Sequence, residues 1–383
     1  MKKVDLQKVK ANNRGLILSC IADGAVSRAE IVKKTGLSKA AVTLIINDFI
    51  EEGRIIEKGV DNSHNVGRPA ISLELVPDFC YAVGFSLHRQ SVSVCIVNYK
   101  VELVDQTTLP TDMFEGADQV LDRMWYELER MMENHNITKE KLIGVGVVTP
   151  GPFDCKNGVI ISPPNFKMFH NYNLKEYFSK KTDLPVYLDK DSALLSITDL
   201  NMRDIKLENS LFIAIFDNGV GSALTSNGEV YRGFSGYTGE LGHICIEPDG
   251  PLCACGNYGC LEEVISLKNI HKKFDIDYSY TELIDKWYAG DNRAVSAMEY
   301  IAKCLSIAIL NAVNYTVIDN VIIHGEFNYR HERLFKIIED YINTHSLIAK
   351  IRPIKVFPSL ITSEERISFC TAAIMKAHFE QRL

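Results

Sequence analysis

No stretch of the 383-residue chain strings together 18 apolar residues, and Met1-Lys2-Lys3-Val4-Asp5-Leu6 runs into charged and amide residues instead of an apolar leader. Neither a membrane-spanning helix nor a secretion signal is expected. Low-complexity tracts are scarce too. With 46% hydrophobic and 24% charged residues the chain has the composition of a soluble protein able to bury large cores, not of a disordered one. One core does not serve this length, so two or three domains are expected. Excess positive charge is also missing, and a net charge of -7 is hostile to nucleic acid until it is divided by region. Residues 1–75 carry 12 Lys+Arg against 9 Asp+Glu, whereas the remainder carries 30 against 40. A mildly basic head on an acidic body fits a polyanion-binding module joined to something else. Ten cysteines without an export signal argue against a disulfide framework, and the reducing cytoplasm is the expected compartment.

Within the head, Leu16, Ile17, Cys20 and Ile21 keep helical spacing until Asp23-Gly24 supplies a stop. Ser27-Arg28-Ala29-Glu30 has the form of a capping box and opens a short helix that ends at Thr35-Gly36. Ser38 then caps a third helix whose Val42, Ile45, Ile46, Phe49 and Ile50 form an apolar face. Its other face bears Lys39, Ala40, Thr43 and Asn47. Two helices joined by a glycine turn, the second small and polar near its start, are built to enter a major groove. Lys39 would neutralise a phosphate, while Thr43 and Asn47 would reach base edges. Arg54–Gly59 and Ala70–Leu75 read as short strands around a polar loop, which makes a wing. The loop contains Gly67-Arg68-Pro69, an extended turn that would carry Arg68 into a narrow minor groove. Residues 1–75 are thus expected to be a winged helix-turn-helix that binds operator DNA through Ser38, Lys39, Ala40, Thr43, Asn47 and Arg68.

Past Pro77 the pattern changes to three β-rich runs, Tyr81–Leu87, Ser91–Val97 and Val101–Thr108, broken by polar turns. A helix follows over about Ala117–His135, and Leu142–Val148 returns as a buried strand. Three strands, a helix and a further strand open an actin-like or ribonuclease-H-like lobe, and Leu211–Ile215 begins a comparable passage. The expected fold class is therefore α/β: a winged helix-turn-helix followed by a two-lobed, sugar-kinase-like body. One lobe is expected over 76–185, with a helix at about 362–383 returning to it, and the second over 186–361. A ligand would sit in the cleft between lobes.

Cys253-Ala-Cys255-Gly-Asn-Tyr-Gly-Cys260 sets three thiols within eight residues, and His243 stands ten residues upstream of the first. Glycines 256 and 259 let that segment bend, so His243, Cys253, Cys255 and Cys260 are expected to close a Cys₃His tetrahedron around a structural zinc.

Gly239-Glu240-Leu241-Gly242-His243, followed by Cys253-x-Cys255-Gly-x-x-Gly-Cys260-Leu261-Glu262, resembles the signature of the ROK family of sugar kinases and sugar-responsive repressors. The head before this body is similar to that of the repressor branch, the relatives of the xylose and N-acetylglucosamine repressors. The resemblance implies a sugar site made by Asn165, Asp191, Glu240, His243 and Glu262. Asp191 takes the place of the kinase general base, and His243 serves zinc with one ring nitrogen and the sugar with the other. Carboxylates and amides suit vicinal hydroxyls, and a zinc-locked loop would fix their geometry. Lys190 stands where the family has an amide, and is expected to contact an acidic or phosphorylated sugar, the alternative being an ion pair with Asp189 or Asp191.

The departures bear on catalysis. Where family kinases wrap ATP phosphates with glycine-rich loops, this chain has Ser86-Leu87-His88-Arg89-Gln90, Asp217-Asn218-Gly219 and His324-Gly325-Glu326. Close backbone approach to phosphate needs glycine, and an aspartate there repels the ligand. The expectation is a non-enzymatic repressor of carbohydrate-utilisation genes, a homodimer or homotetramer on a pseudo-palindromic operator, released by a sugar in the cleft. A ROK-type kinase with an atypical ATP site is the alternative, and a ligand-free dimerisation scaffold a third.

Overall fold

A computed structural model describes residues 6–22, 24, 27–58, 72–203, 205–216, 219–233, 238–362 and 365–379. The head comprises α1 (Leu6–Ala22), α2 (Arg28–Thr35), α3 (Lys39–Glu51) and the antiparallel pair β1 (Ile55–Lys58) and β2 (Ser72–Leu75). Ser27 caps α2 by accepting from Glu30 N, and Gly36 closes it in the left-handed region at φ 69°. Ser38 caps α3 by accepting from Ala41 N. Val42, Ile45, Ile46 and Phe49 are buried, each worth about 1.5–3 kcal/mol relative to exposure. The first helix starts ten residues before the apolar pattern at Leu16. Tertiary contacts hold that earlier stretch: Arg14 lies over the Phe49 ring at 4.4 Å and reaches Asp48 at 3.2 Å and Glu52 at 2.5 Å.

The chain continues through β3 (Tyr81–Leu87), β4 (Ser91–Asn98), β5 (Leu103–Pro110), α4 (Ala117–Asn134) and β6 (Leu142–Thr149). A small three-stranded sheet follows: β7 (Phe153–Asp154), β8 (Val159–Ile160) and β9 (Tyr172–Asn173). Then come α5 (Leu174–Lys181), β10 (Val186–Lys190), α6 (Asp191–Asn201), β11 (Ser210–Phe216), β12 (Gly219–Ser226) and β13 (Glu229–Val230). The last elements are α7 (Leu261–Val264), α8 (Leu267–Phe274), α9 (Tyr280–Tyr288), α10 (Asn292–Tyr315), β14 (Asn320–Gly325), α11 (Glu332–His345), β15 (Lys355–Pro358) and α12 (Glu365–Phe379). The β4–β5 hairpin starts its second strand later than the β-rich run suggests. Val101 adopts a left-handed φ of 63°, inside a turn where Asn98 Oδ1 accepts from Lys100 N and Glu102 N.

These elements form two compact units, one of residues 1–148, 176–188 and 367–383, the other of 149–175 and 189–366. Each has a five-stranded sheet with the same topology: β10-β6-β3-β4-β5 in the first and β13-β12-β11-β14-β15 in the second. In both, three consecutive strands pair antiparallel and the next strand returns parallel to the first of them. This repeat is the ribonuclease-H-like pattern anticipated from the opening strands. In the first unit, α12 lies so close to the sheet that a Cβ at Gly146 would clash with the Cys370 carbonyl. One buried cluster there joins Ile17, Ile46 and Phe49 of the head to Tyr99 and to Ile374, Met375 and Phe379 of α12. In the second unit, α10 is long and apolar enough to cross a membrane, but its Met298, Ile301, Leu305 and Ile309 are fully buried in the core beside Trp287.

Candidate functional site

On the head, Lys39, Ala40, Thr43 and Asn47 are all exposed on one side of α3, and Ser38 stands at its start with its hydroxyl oxygen in the cap. Arg68 lies outside the described residues, so only the two strands that flank its loop are placed. Arg28, at the first position of α2, is a participant that the sequence reading missed. Its guanidinium donates to the Thr43 carbonyl at 3.2 Å, to Asn47 Oδ1 at 2.8 Å and to Glu57 Oε1 at 2.8 Å. Three elements are thereby tied together at the surface. Nothing in the local pattern of Ser27-Arg28 announces partners 15, 19 and 29 residues away.

In the second unit, Asp191 opens α6 and accepts from Ser192 N through Oδ1. Beside it runs β12, where Gly221 leaves room: a Cβ there would come 4.0 Å from Asp191 Oδ1. One residue earlier, Val220 N donates to Glu262 Oε2 at 2.9 Å, and one residue later Ser222 holds the segment that carries Glu240. The Ser222 hydroxyl donates to the Gly239 carbonyl at 2.8 Å and accepts from Leu241 N at 3.2 Å. Gly239 needs its left-handed φ of 82° and its missing side chain to pass the Ser222 carbonyl so closely. Asp191, Glu240 and Glu262 are thus gathered along β12, with none of them fully buried. Asn165 is exposed in a left-handed turn at φ 58°, and among the described residues no hydrogen bond ties it to the others.

Lys190 is buried, and its ammonium donates to the Thr238 carbonyl at 2.9 Å, the Gly239 carbonyl at 3.0 Å and Glu240 Oε1 at 3.0 Å. An ammonium has three hydrogens, and all three are taken. The ion pair forms with Glu240, not with Asp189 or Asp191. In this arrangement the Lys190 ammonium holds Glu240 and offers no further donor. Asp189, also buried, pairs with Arg232 and receives the Cys155 thiol at 3.5 Å. Burial first, and the Asp189 charge second, push that thiol up to about 12, so it stays protonated at neutral pH.

His243, Cys253, Cys255 and Cys260 place their ligand atoms within 4.8 Å of one another and form a cluster able to hold a metal ion. Cys253 Sγ stands 3.7 Å from His243 Nδ1, and Cys255 Sγ stands 3.7 Å from Cys260 Sγ. The edge of a tetrahedron with metal–sulfur bonds of about 2.3 Å is about 3.75 Å, so the cluster fits the group. Gly259, at φ 64°, makes the bend, where a side chain would strike the Glu247 carbonyl. Burial raises the Cys253 and Cys260 thiols above their ordinary range, a cost to the thiolates that a divalent cation offsets.

At the kinase loop positions, Ser86 is buried and its hydroxyl bonds His88 Nε2 at 2.8 Å, which fills the turn with side chains instead of glycine backbone. His324 is buried between Phe212 and Phe216 and bonds Ser359 through Nδ1 at 3.1 Å. Asp217 and Asn218 lie outside the described residues.

The duplicated sheets, the carboxylates along β12 and the Cys₃His cluster define a chain with the sugar-kinase-like fold and an added helical head. The ROK family model matches residues 83–362, and the chain belongs to the ROK family. A xylose repressor of Caldicellulosiruptor bescii is 24% identical, with 96% of each chain covered. The DNA-binding transcriptional dual regulator NagC of Escherichia coli is 27% identical over 85% of this chain and 83% of its own. Among solved structures, a ROK family transcriptional regulator homologous to the Escherichia coli MLC protein superposes with a TM-score of 0.77 at 25% identity, covering 97% of both chains. A ROK hexokinase from Thermus thermophilus shares the fold, with a TM-score of 0.63 at 22% identity over 79% of this chain and 99% of its own.

Proposed function

We propose that the protein is a sugar-responsive transcriptional repressor of carbohydrate-utilisation genes, without catalytic activity of its own. The observation that carries the reading is the capped, exposed polar face of α3 on the same chain as the Asp191, Glu240 and Glu262 carboxylates. Relatives named as repressors match along nearly the whole chain, 96% of it for the xylose repressor, whereas the hexokinase covers 79%. Ser86-His88 and the buried His324 stand where a kinase needs glycine backbone for phosphates. Asp191 then binds a sugar hydroxyl instead of activating it.

In this reading Asn165, Asp191, Glu240, His243 and Glu262 contact the sugar, and Lys190 acts by fixing Glu240. His243, Cys253, Cys255 and Cys260 hold a structural zinc, which leaves the other His243 nitrogen for a hydroxyl and stiffens the approach to Glu262. Ser38, Lys39, Ala40, Thr43, Asn47 and Arg68 face operator DNA, two heads of a homodimer or homotetramer gripping the halves of a pseudo-palindrome. Derepression follows when the sugar binds the DNA-incompetent state more tightly than the competent one.

The test is fluorescence anisotropy of the full-length protein on duplexes from upstream of its own and neighbouring genes, titrated with free and phosphorylated sugars. One sugar releasing specific binding supports the reading. No specific binding even at low salt, together with sugar-dependent ADP release, sinks it in favour of a kinase.

A further inference from the structure

The exposed side of α3 carries one large apolar side chain. Leu44 is 63% exposed, between Thr43 and Asn47 and alongside Ala40, while the other apolar side chains in the middle of the helix are buried in the head core. A large apolar side chain on a solvated face is ordinary in isolation. Here it stands three residues from Asn47, on the neighbouring turn of the same helix, and Asn47 is itself not an unconstrained amide.

The Arg28 guanidinium has only N–H groups to offer, so the Asn47 atom it meets at 2.8 Å is the carbonyl oxygen. The same guanidinium is held by Glu57 Oε1 and the Thr43 carbonyl, which keeps it in place. One lone pair of that oxygen is taken, and the NH₂ carries the two hydrogens that Arg28 leaves unused. A donor is repelled by the cytosine N4 amino group and accepted by thymine O4, by adenine N7 or by guanine O6 and N7. Of these bases only thymine also carries a methyl group on the major-groove edge, the apolar contact that Leu44 suits.

We propose that Leu44 and Asn47 act as a pair that specifies thymine in each operator half-site, Leu44 packing on the C5 methyl while the Asn47 amide donates to O4. Arg28 is the positioning residue that holds Asn47 by its oxygen. The proposal rests on the DNA-binding reading of the head and extends it to the base that is read.

The experiment uses the full-length protein and a random-sequence duplex library, from which bound DNA is selected and the preferred site defined. Each thymine of that site is then replaced in turn by deoxyuridine, which removes only the methyl, and by 5-methylcytosine paired with guanine, which keeps the methyl and turns O4 into an amino donor. At one symmetric thymine per half-site, deoxyuridine is expected to weaken wild-type binding about fourfold, the effect of losing one buried methyl. Leu44→Ala should bind the thymine and deoxyuridine duplexes alike. At the same position 5-methylcytosine should cost the wild type at least about tenfold, and Asn47→Asp, which replaces the donor by an acceptor, should reverse the preference between the two duplexes. Reading the ratio of two duplexes for each variant cancels any general loss of affinity or folded fraction. If a preferred site emerges but no thymine in it responds to Leu44→Ala, or Asn47→Asp leaves the ratio unchanged, the pair is overturned while the DNA-binding reading stands. If no sequence is enriched and binding is only the salt-sensitive, sequence-independent kind, both fall.

Discussion

The Tyr99 ring meets the His378 imidazole edge-on, with centroids 5.7 Å apart, where the head, the first-unit sheet and α12 share one core. Arg54 approaches the same place from the end of α3, its guanidinium 5.0 Å from the Phe79 ring centroid. Burial, and then the Arg54 charge, push the His378 imidazole down from 6.5 to about 4. Between those values the unfolded chain binds more protons than the folded one, so stability rises with pH. The contribution is complete above the unfolded value and is lost as pH falls toward the folded one. Cooling the pH from about 7.5 to about 5.5 should therefore remove about 1 kcal/mol through this residue, after discounting for partial exposure. Urea unfolding of the wild type and of His378→Gln at both pH values checks it, and equal pH sensitivity in the two would reject the assignment.

Lys190 supplies Glu240 with a cationic neighbour and anchors the two carbonyls before it. Lys190→Met should weaken sugar binding about tenfold by freeing the Glu240 carboxylate from its position, with operator affinity in the absence of sugar unchanged. Calorimetric titration with the releasing sugar measures the first and anisotropy the second. Undiminished sugar affinity would remove Lys190 from the site's architecture.

The Cys₃His cluster predicts about one zinc per chain, retained through gel filtration. Cys255→Ser should abolish it, and a strong chelator should lower the melting temperature of the wild type by several degrees without affecting that of the variant. Elemental analysis reads the metal content. Full zinc content in Cys255→Ser would show that the four residues are not the ligand set.

Gly146 faces the Cys370 carbonyl of α12 with no room for a methyl group. Gly146→Ala should cost about 2–3 kcal/mol, because backbone on both sides must move. Since α12 also enters the head core, operator binding should decline with stability at elevated temperature. Unchanged urea midpoints would mean that α12 can shift outward freely.

Local chemistry made much of this fold legible. The Ser27 and Ser38 caps, the apolar face of α3 and the bend at Cys253–Cys260 depend on residues a few positions apart, which is the range over which sequence pattern carries information. What escaped was long-range. Residues 6–15 have no apolar period of their own and stand as helix because Arg14 is held by Asp48, Glu52 and Phe49. The Lys190 partner lies 50 residues away, in a segment that the Ser222 hydroxyl holds, an arrangement that no periodicity encodes. Nor could spacing distinguish an ion pair to a sugar from one to Glu240, since a lysine reads alike in both. Arg28 was passed over for the same reason, its acceptors being distributed over two other elements.

The entry of Ile374, Met375 and Phe379 into the core of the head sets an order of events during synthesis. A ribosome finishes the DNA-binding helices hundreds of residues before it makes the segment that packs beneath them. The nascent head must therefore wait with part of its apolar floor uncovered, and it completes its core only after both sheets have been made. Operator binding is in this sense deferred: a stalled or truncated chain carries the recognition helix without the support that holds it, and competes poorly with finished copies for DNA.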